Sequence, residues 1–135
     1  MGIHHVFINV KDLERSREFY GWLMPRLGYG AIWEFNPDSI GWLGARGSFW
    51  VKRADPLFSQ DEFHKDRVGL CEIAFAAESR NEVDELSAEL AARGVEIIEG
   101  PRAYPYVPGY YALFFRDPDG IKLELAHIPG FGAGG

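Results

Sequence analysis

The sequence is poor in cysteine and in long apolar runs. Cys71 is the only cysteine in the 135 residues, so the chain cannot form an internal disulfide. No apolar run approaches the roughly 20 residues that a membrane-spanning helix needs, and the first residues lack the pattern of a signal peptide. We therefore expect a cytoplasmic protein without a membrane partner. Because Cys71 lies in an apolar stretch, we also expect a buried structural thiol.

Basic residues are outnumbered by acidic ones. Lysine and arginine total 14 against 20 aspartates and glutamates, which gives a formal net charge of −6. No basic stripe is present to neutralise phosphates, and this argues against nucleic acid as the main partner. A hydrophobic content of 47% and an aromatic content of 15% are typical of a globular chain. The length predicts one domain, residues 1–135, and we expect the tail FGAGG to fray.

One pattern of strand, helix cap, helix and glycine occurs twice in the chain. The spacing from the first cap, Asp12, to the second, Ser79, nearly equals the spacing from the first closing glycine, Gly28, to the second, Gly94. Aspartate and serine are typical N-cap residues, and glycine commonly ends a helix. The strands that precede the caps alternate apolar and polar residues. They read IHHVFINV in the first copy and LCEIAFAA in the second.

Each predicted helix is followed by three short segments that have strand patterns and are separated by turns. Both halves therefore have the order β-α-β-β-β, which predicts an α+β fold with module one at about 3–53 and module two at about 68–128. The polar residues 54–67 between them read as a linker or loop. Neither half is long enough to bury both faces of its sheet alone, so we expect the halves to pair.

Three polar side chains interrupt the apolar strands. Superposing the two copies cap on cap places His5 on Glu72, and Glu124 lies in the middle of the last strand. On all three strands the alternate residues form an apolar face that should pack under a helix, while the opposite face carries these polar groups. Imidazole and carboxylate groups suit a divalent ion such as zinc, manganese, nickel or iron. We predict that His5, Glu72 and Glu124 bind such an ion between the halves.

Each of these residues has an alternative interpretation. His5 could be a core histidine with a satisfied hydrogen bond. Glu124 could pair with Lys122 or with an arginine, because a buried carboxylate needs compensation in any case. Glu72 could be a ligand, a general base beside the metal, or a partner in a salt bridge. The sequence predicts Glu72 and Glu124 as catalytic residues and leaves these alternatives open.

Four further residues are predicted to bind substrate. Asn9 lies two positions beyond His5 on the same strand face, and Trp50 lies in the first module's last strand. In the proline- and tyrosine-rich segment 104–111, Tyr106 and Tyr110 offer flat apolar surface together with a hydroxyl group. That segment is either a structural corner or a substrate wall in which one hydroxyl donates to a bound oxyanion.

Two segments carry a resemblance to a known family. HHVFINVKDLERSREFY and PGYYALFFRDPDGIKLEL resemble the vicinal oxygen chelate superfamily, which includes glyoxalase I, extradiol dioxygenases, and fosfomycin and bleomycin resistance proteins. The resemblance covers about residues 3–128. It implies two β-α-β-β-β modules that form a cupped mixed sheet around a divalent metal, with helices on the outer face.

The resemblance also implies roles for single residues. His5 matches the family's ligand on the first strand and Glu124 the ligand on the last strand, whereas Glu72 stands where metal-binding members usually have histidine. The strand GSFWVKR offers no ligand at its centre. We therefore expect lyase or isomerase chemistry on a small oxygen-chelating substrate, rather than dioxygenation. The alternative is a metal-free binding protein of the bleomycin-resistance type, and a homodimer is the expected assembly in either case.

Overall fold

The computed structural model describes residues 2–130 and divides the chain into two compact units, Met1–Glu62 and Phe63–Gly135, called unit 1 and unit 2. The boundary between them lies inside the predicted linker 54–67. Each unit has the element order β-α-β-β-β, which confirms the predicted α+β class and the two repeated modules. The tail FGAGG, which the sequence predicts to fray, lies outside the described residues.

Unit 1 forms one four-stranded mixed sheet with the strand order β1-β4-β3-β2. Strand β1 runs parallel to β4, and the other neighbouring pairs are antiparallel. A short 3₁₀ helix at Pro56–Phe58 follows the last strand. The elements in chain order are β1 (His5–Val10), α1 (Leu13–Arg26), β2 (Ala31–Asn36), β3 (Ser39–Gly44) and β4 (Gly47–Arg53).

The ends of α1 are set by the residues that the sequence predicts. The Asp12 side chain accepts a hydrogen bond from the Arg15 amide at 3.1 Å, which satisfies one of the free amides of the first turn. Gly28 has φ +92° and ends the helix in the left-handed region that glycine tolerates. The buried side of the helix packs on β3 and β4, where the Tyr20 ring lies 5.0 Å from the Phe49 ring.

Unit 2 repeats this arrangement, with the strand order β5-β8-β7-β6 and β5 parallel to β8. Ser79 caps its helix by accepting a hydrogen bond from the Glu82 amide at 3.1 Å, and Glu82 accepts one from the Glu78 amide at 2.6 Å. Val83, Leu86 and Leu90 are the buried residues of that helix. The elements are β5 (Ile73–Ala76), α2 (Arg80–Ala92), β6 (Ile97–Ala103), β7 (Tyr111–Arg116) and β8 (Lys122–His127).

The turn before β8 determines which face Glu124 occupies. The Asp117 carboxylate accepts hydrogen bonds from the amides of Asp119 at 2.9 Å and Ile121 at 2.8 Å, and Gly120 has φ +83°. This turn starts β8 in a register that directs the apolar side chains of Leu123 and Leu125 toward the helix-covered face. Glu124 between them therefore lies on the opposite face.

The start of β5 differs from the prediction. The strand was expected to cover 70–77, but it begins at Ile73, so Cys71 and Glu72 precede it and Glu72 does not lie mid-strand. Ladder pairing with β8 begins only at Ile73, whose partner is Leu123. Cys71 is exposed, and the prediction of a buried thiol is wrong. Among residues 2–130, every helix is too short or too polar to cross a membrane.

Candidate functional site

Each sheet has one face covered by its own helix and a second face that carries the predicted site residues. In unit 2, Ala74, Glu124 and Phe114 stand side by side across β5, β8 and β7. Directly paired residues share a face, so these side chains form one row. Glu124 is the centre of the row and lies between a small neighbour and a large aromatic one.

Glu124 is the buried carboxylate of this face, with only 2% of its surface exposed. The Tyr110 hydroxyl donates a hydrogen bond to Glu124 Oε1. Burial raises the pKa of the Glu124 carboxyl, and the charge of Glu72 raises it further, whereas the Tyr110 hydrogen bond and the Lys122 charge act in the opposite direction. Burial and the hydrogen bond to Glu124 also raise the pKa of Tyr110, so its proton stays on the phenol oxygen.

Glu72 lies beside an ammonium group. Lys122 Nζ is 3.6 Å from Glu72 Oε2, and the same nitrogen lies 4.7 Å from the centre of the Phe114 ring. Both side chains of the ion pair are partly buried. Glu72 therefore has the ion pair that one of its three interpretations predicts, but the contact is longer than a hydrogen bond and its Oε2 has no hydrogen-bond partner among the described residues. The roles of metal ligand and general base stay predictions. Lys122 also brings a positive charge to the strand that carries Glu124, two positions before it.

Three tyrosines cover the end of this face. The rings of Tyr104 and Tyr106 stack with centroids 5.4 Å apart, and Tyr106 meets Tyr110 edge to face at 5.1 Å. Tyr106 is 63% exposed, whereas Tyr104 is buried in a cluster with Ala112, Phe114 and Ala126. In this arrangement the hydroxyl of Tyr110 donates its hydrogen bond to Glu124. The sequence alone did not single out Phe114, although alternation along the strand places it on the same face as Ala112.

In unit 1, His5 lies on the exposed side of its sheet. The Nδ1 atoms of His4 and His5 are 2.9 Å apart, and both rings are exposed. His5 is the first residue of β1, so it does not lie mid-strand, and its exposure excludes the alternative of a core histidine. The predicted alternation of the strand is confirmed, because Ile8 and Val10 are buried on the other face.

The other two predicted residues of unit 1 share that exposed face. Trp50 stacks on Phe7 with centroids 5.3 Å apart, and its Nε1 donates to Ser48 Oγ at 2.8 Å. Trp50 pairs with Phe7 on one side and with Gly41 on the other. Asn9 lies two residues farther along β1 and is exposed. The structure therefore groups Asn9 and Trp50 with His5 in unit 1, and groups Glu72, Glu124, Tyr106 and Tyr110 in unit 2.

The side chains of each unit decide whether a divalent metal fits there. Among the residues that the structure describes, no group of three or more histidines, cysteines, aspartates or glutamates could hold a metal ion. In unit 2 the Lys122 ammonium lies beside Glu72, and the Tyr110 hydroxyl engages Glu124. Glu72 Oε2 is buried and has no hydrogen-bond partner among the described residues, so it is an acceptor that a cation could still satisfy. Neither unit by itself completes a ligand set, because unit 1 offers two imidazoles and unit 2 offers two carboxylates. The assignment of His5, Glu72 and Glu124 as ligands stays a prediction.

Comparison with known proteins agrees with the fold and with the predicted resemblance. Residues 2–125 match the family model described as the Glyoxalase/Bleomycin resistance protein/Dioxygenase superfamily. YqjT of Bacillus subtilis (strain 168) is 38% identical over 125 residues, which cover 91% of this chain and 96% of the relative.

Solved structures show the same fold. A protein from Bacillus halodurans superposes with a TM-score of 0.84 and 35% identity, covering 93% of this chain and 95% of the other. A glyoxalase/bleomycin resistance protein from Albidiferax ferrireducens T118 has a TM-score of 0.73 and 29% identity, covering 94% and 98%. The likeness extends over almost the whole length of both chains in each case.

Proposed function

The chain belongs to the glyoxalase/bleomycin resistance protein/dioxygenase superfamily, and on that basis we propose that it is a lyase or isomerase. Its substrate is a small molecule with neighbouring oxygen atoms, and the reaction moves a proton next to one of them. Glu124 is the group that takes up and returns this proton. Because a fold hosts many chemistries, the proposal depends on the side chains of unit 2 and not on the fold alone.

One observation carries the proposal. Glu124 is a buried carboxylate on the sheet face opposite the helix, and a tyrosine hydroxyl orients it. A buried carboxylate holds its proton more strongly than one in water, so it is a stronger base toward a carbon-bound proton at neutral pH. Burial of a carboxylate between its ladder neighbours Ala74 and Phe114 costs free energy, so the stability of the fold does not explain it.

The neighbouring groups have distinct roles in this proposal. Tyr110 holds Glu124 Oε1, so the second oxygen of the carboxylate is the one assigned to the substrate's proton. The Lys122 ammonium, paired with Glu72, provides positive charge beside the negative charge that develops on a substrate oxygen after the proton leaves. Tyr106, which is exposed, offers a hydroxyl and a flat ring to the incoming molecule.

A divalent metal is part of the proposal as a cofactor to be tested, since members of the family often use one. The proton transfer proposed for Glu124 does not depend on the metal, because neither unit alone completes a ligand set among the described residues. The test is the metal content of protein purified without a histidine tag, measured for the parent, His5→Ala and Glu124→Gln. About one equivalent of metal in the parent that is lost in both variants supports the predicted ligands. Equal metal content in all three contradicts them.

Turnover assays test the proposed activity. The parent is offered 2-oxo and 2-hydroxy thioesters, thiol adducts and catechols, each with manganese, nickel, zinc or iron(II) supplied. We expect one compound class to react, and Glu124→Gln to lower kcat by roughly 10²–10⁴-fold, the usual contribution of a general base. Glu99→Gln is the matched control, because Glu99 is an exposed glutamate of the same sheet.

A metal-free binding protein is the second candidate. The stacked rings of Tyr104 and Tyr106 beside a buried carboxylate favour it, since aromatic faces and a negative group together attract flat or cationic molecules. Under this alternative a compound of the panel binds tightly, without turnover at any metal, and Glu124→Gln weakens binding. That outcome would contradict the enzymatic proposal.

A further inference from the structure

The two residues that pair with Glu124 across the sheet of unit 2 differ in exposure. Phe114 is buried, whereas Ala74 on β5 is exposed. We propose that the substrate carries an uncharged aryl group whose ring lies over Ala74, and that Ala74 is the specificity-determining residue of this site. The inference rests on the function proposed for Glu124 and names the substrate class of that same site.

The equivalent position of unit 1 carries a benzene ring. Phe7 pairs with Trp50, the central residue of its row, just as Ala74 pairs with the central residue of unit 2. The Phe7 ring stacks on the Trp50 indole with centroids 5.3 Å apart and 18° between the two planes, and it is half exposed. The scaffold therefore accommodates a phenyl ring beside the central residue, at the surface of the open face. Because unit 2 has only a methyl group there, a ring supplied by a ligand can take the same place.

The exposed side of Glu124 sets where the reacting carbon lies. Tyr110 donates to Glu124 Oε1, and Phe114 covers the β7 side, so a molecule approaches across β5 and over Ala74. Neighbouring strands lie about 5 Å apart, so a ring above Ala74 is about one strand spacing from the carboxylate. A carbon bonded directly to that ring is then within reach of Glu124. The substrate is therefore an aryl compound whose ring is attached to the carbon that loses the proton.

The charges around Glu124 disfavour an anionic substrate. The Lys122 ammonium lies 3.6 Å from Glu72 Oε2, so that carboxylate offsets its charge. The same ammonium also acts on Glu124, and two carboxylates thus share one cation. A carboxylate or phosphate on the substrate would add a further negative charge to this set, whereas an uncharged compound adds none.

Three small probes separate the ring from the charge. 1-Hydroxy-1-phenyl-2-propanone and 3-hydroxy-2-butanone are uncharged, have neighbouring oxygens and differ only in a phenyl group against a methyl group. Mandelate has the same aryl carbon but a negative charge. Binding of each to the parent is measured by saturation-transfer NMR titration. We expect the phenyl ketone to bind at least about tenfold more tightly than either of the other two, because its ring covers apolar surface without adding charge.

Ala74→Phe supplies the protein's own ring at this position, as unit 1 does with Phe7. We expect it to weaken binding of the phenyl ketone at least about tenfold. Ala76→Phe is the matched control, because Ala76 is an exposed alanine on the same face of β5, one ladder pair away from Glu124, and we expect a change of less than about twofold. Both variants should keep a Tm near that of the parent, since exposed strand positions accept aromatic residues.

Several results would overturn the inference. They are no saturable binding of the phenyl ketone, equal binding of 3-hydroxy-2-butanone or mandelate, and equal weakening in Ala74→Phe and Ala76→Phe. The comparison of the three probes uses the parent alone, so it decides the question whether or not Ala74→Phe folds.

Exchange of the carbinol proton in D₂O, followed in the same samples, tests the proposed chemistry separately. A phenyl ketone that binds through Ala74 but does not exchange supports the aryl site and contradicts proton transfer by Glu124. Exchange of 3-hydroxy-2-butanone as fast as that of the phenyl ketone supports proton transfer and overturns the aryl inference.

Discussion

The two units place different side chains on the same scaffold position. In unit 1 the central row of the open face reads Phe7, Trp50 and Gly41 across β1, β4 and β3. In unit 2 the equivalent row reads Ala74, Glu124 and Phe114 across β5, β8 and β7. An indole therefore stands in unit 1 where unit 2 has a buried carboxylate.

The neighbours of the central residue also differ between the two units. A Cβ atom added to Gly41 would lie 2.5 Å from the Trp50 ring, so the indole fills the space beside it and requires glycine there. Around Glu124, the small Ala74 leaves room, and Phe114 covers the other side. The Trp50 indole makes the centre of the unit 1 sheet face a packed aromatic surface. The Glu124 carboxylate gives the centre of the unit 2 sheet face a group that can bind a proton. The same ladder register thus supports two different arrangements.

The largest expected effect concerns the hydrogen bond that Glu124 of unit 2 receives. Tyr110→Phe removes the donor and leaves a buried carboxylate without it, so we expect a loss of about 3 kcal/mol in the free energy of unfolding. Urea denaturation measures it. Tyr106→Phe is the matched control, since Tyr106 is exposed and should lose less than about 0.5 kcal/mol. Equal losses in the two variants would mean that the hydroxyl of Tyr110 is unimportant.

The next effect concerns the packing at the centre of unit 1. Gly41→Ala places a methyl group 2.5 Å from the Trp50 indole, and we expect a loss of about 2 kcal/mol because the indole has to leave its stacking contact with Phe7 and its hydrogen bond to Ser48 to make room. Gly30→Ala serves as the control, because an added Cβ there meets nothing within 4 Å. Denaturation curves of the two variants give the difference. A Gly41→Ala protein as stable as Gly30→Ala would contradict the tight contact.

The smallest expected effect is a pH dependence specific to unit 2. The pKa of Glu124 in the folded protein is raised above its ordinary 4.5, so the folded state holds this proton more tightly than the unfolded chain. This tighter proton binding stabilises the folded protein at pH values below the ordinary pKa. The stabilisation is lost as the pH rises through the raised pKa of Glu124. We therefore expect the Tm of the parent, relative to that of Glu124→Gln, to fall as the pH rises above the ordinary value.

Glu99→Gln provides the baseline for this comparison, because Glu99 is exposed on the same sheet. Thermal melts of the three proteins over a series of pH values, from acidic to neutral, measure the difference. If the parent and Glu124→Gln keep a constant difference in Tm at every pH, then burial does not perturb Glu124.

Most of the fold was predictable because its signals are local. Asp12 and Ser79 mark the helix starts, Gly28 and Gly94 mark the ends, and alternation marks the strands. The start of β5 was not predictable, since an apolar run does not reveal where ladder pairing with β8, a strand distant in the sequence, begins. The exposure of Cys71 was not predictable for the same reason, because the residue lies in an apolar stretch of sequence but precedes the first paired residue of β5.

The site was predictable only in part. Alternation correctly placed Glu124 on the face opposite the helix, but it does not reveal the hydrogen bond from Tyr110, which belongs to the segment before β7. The predicted role of Tyr110 in substrate binding stays a prediction. The Lys122 pairing with Glu72 likewise depends on tertiary geometry.

Deuterium exchange tests most directly whether Glu124 transfers a proton. The compound that the panel identifies is incubated in D₂O with the parent, Glu124→Gln or Glu99→Gln, and loss of its carbon-bound proton is followed by NMR. We expect rapid exchange with the parent and Glu99→Gln, and exchange at least about 100-fold slower with Glu124→Gln. Exchange at the parent's rate in Glu124→Gln would contradict this role of Glu124.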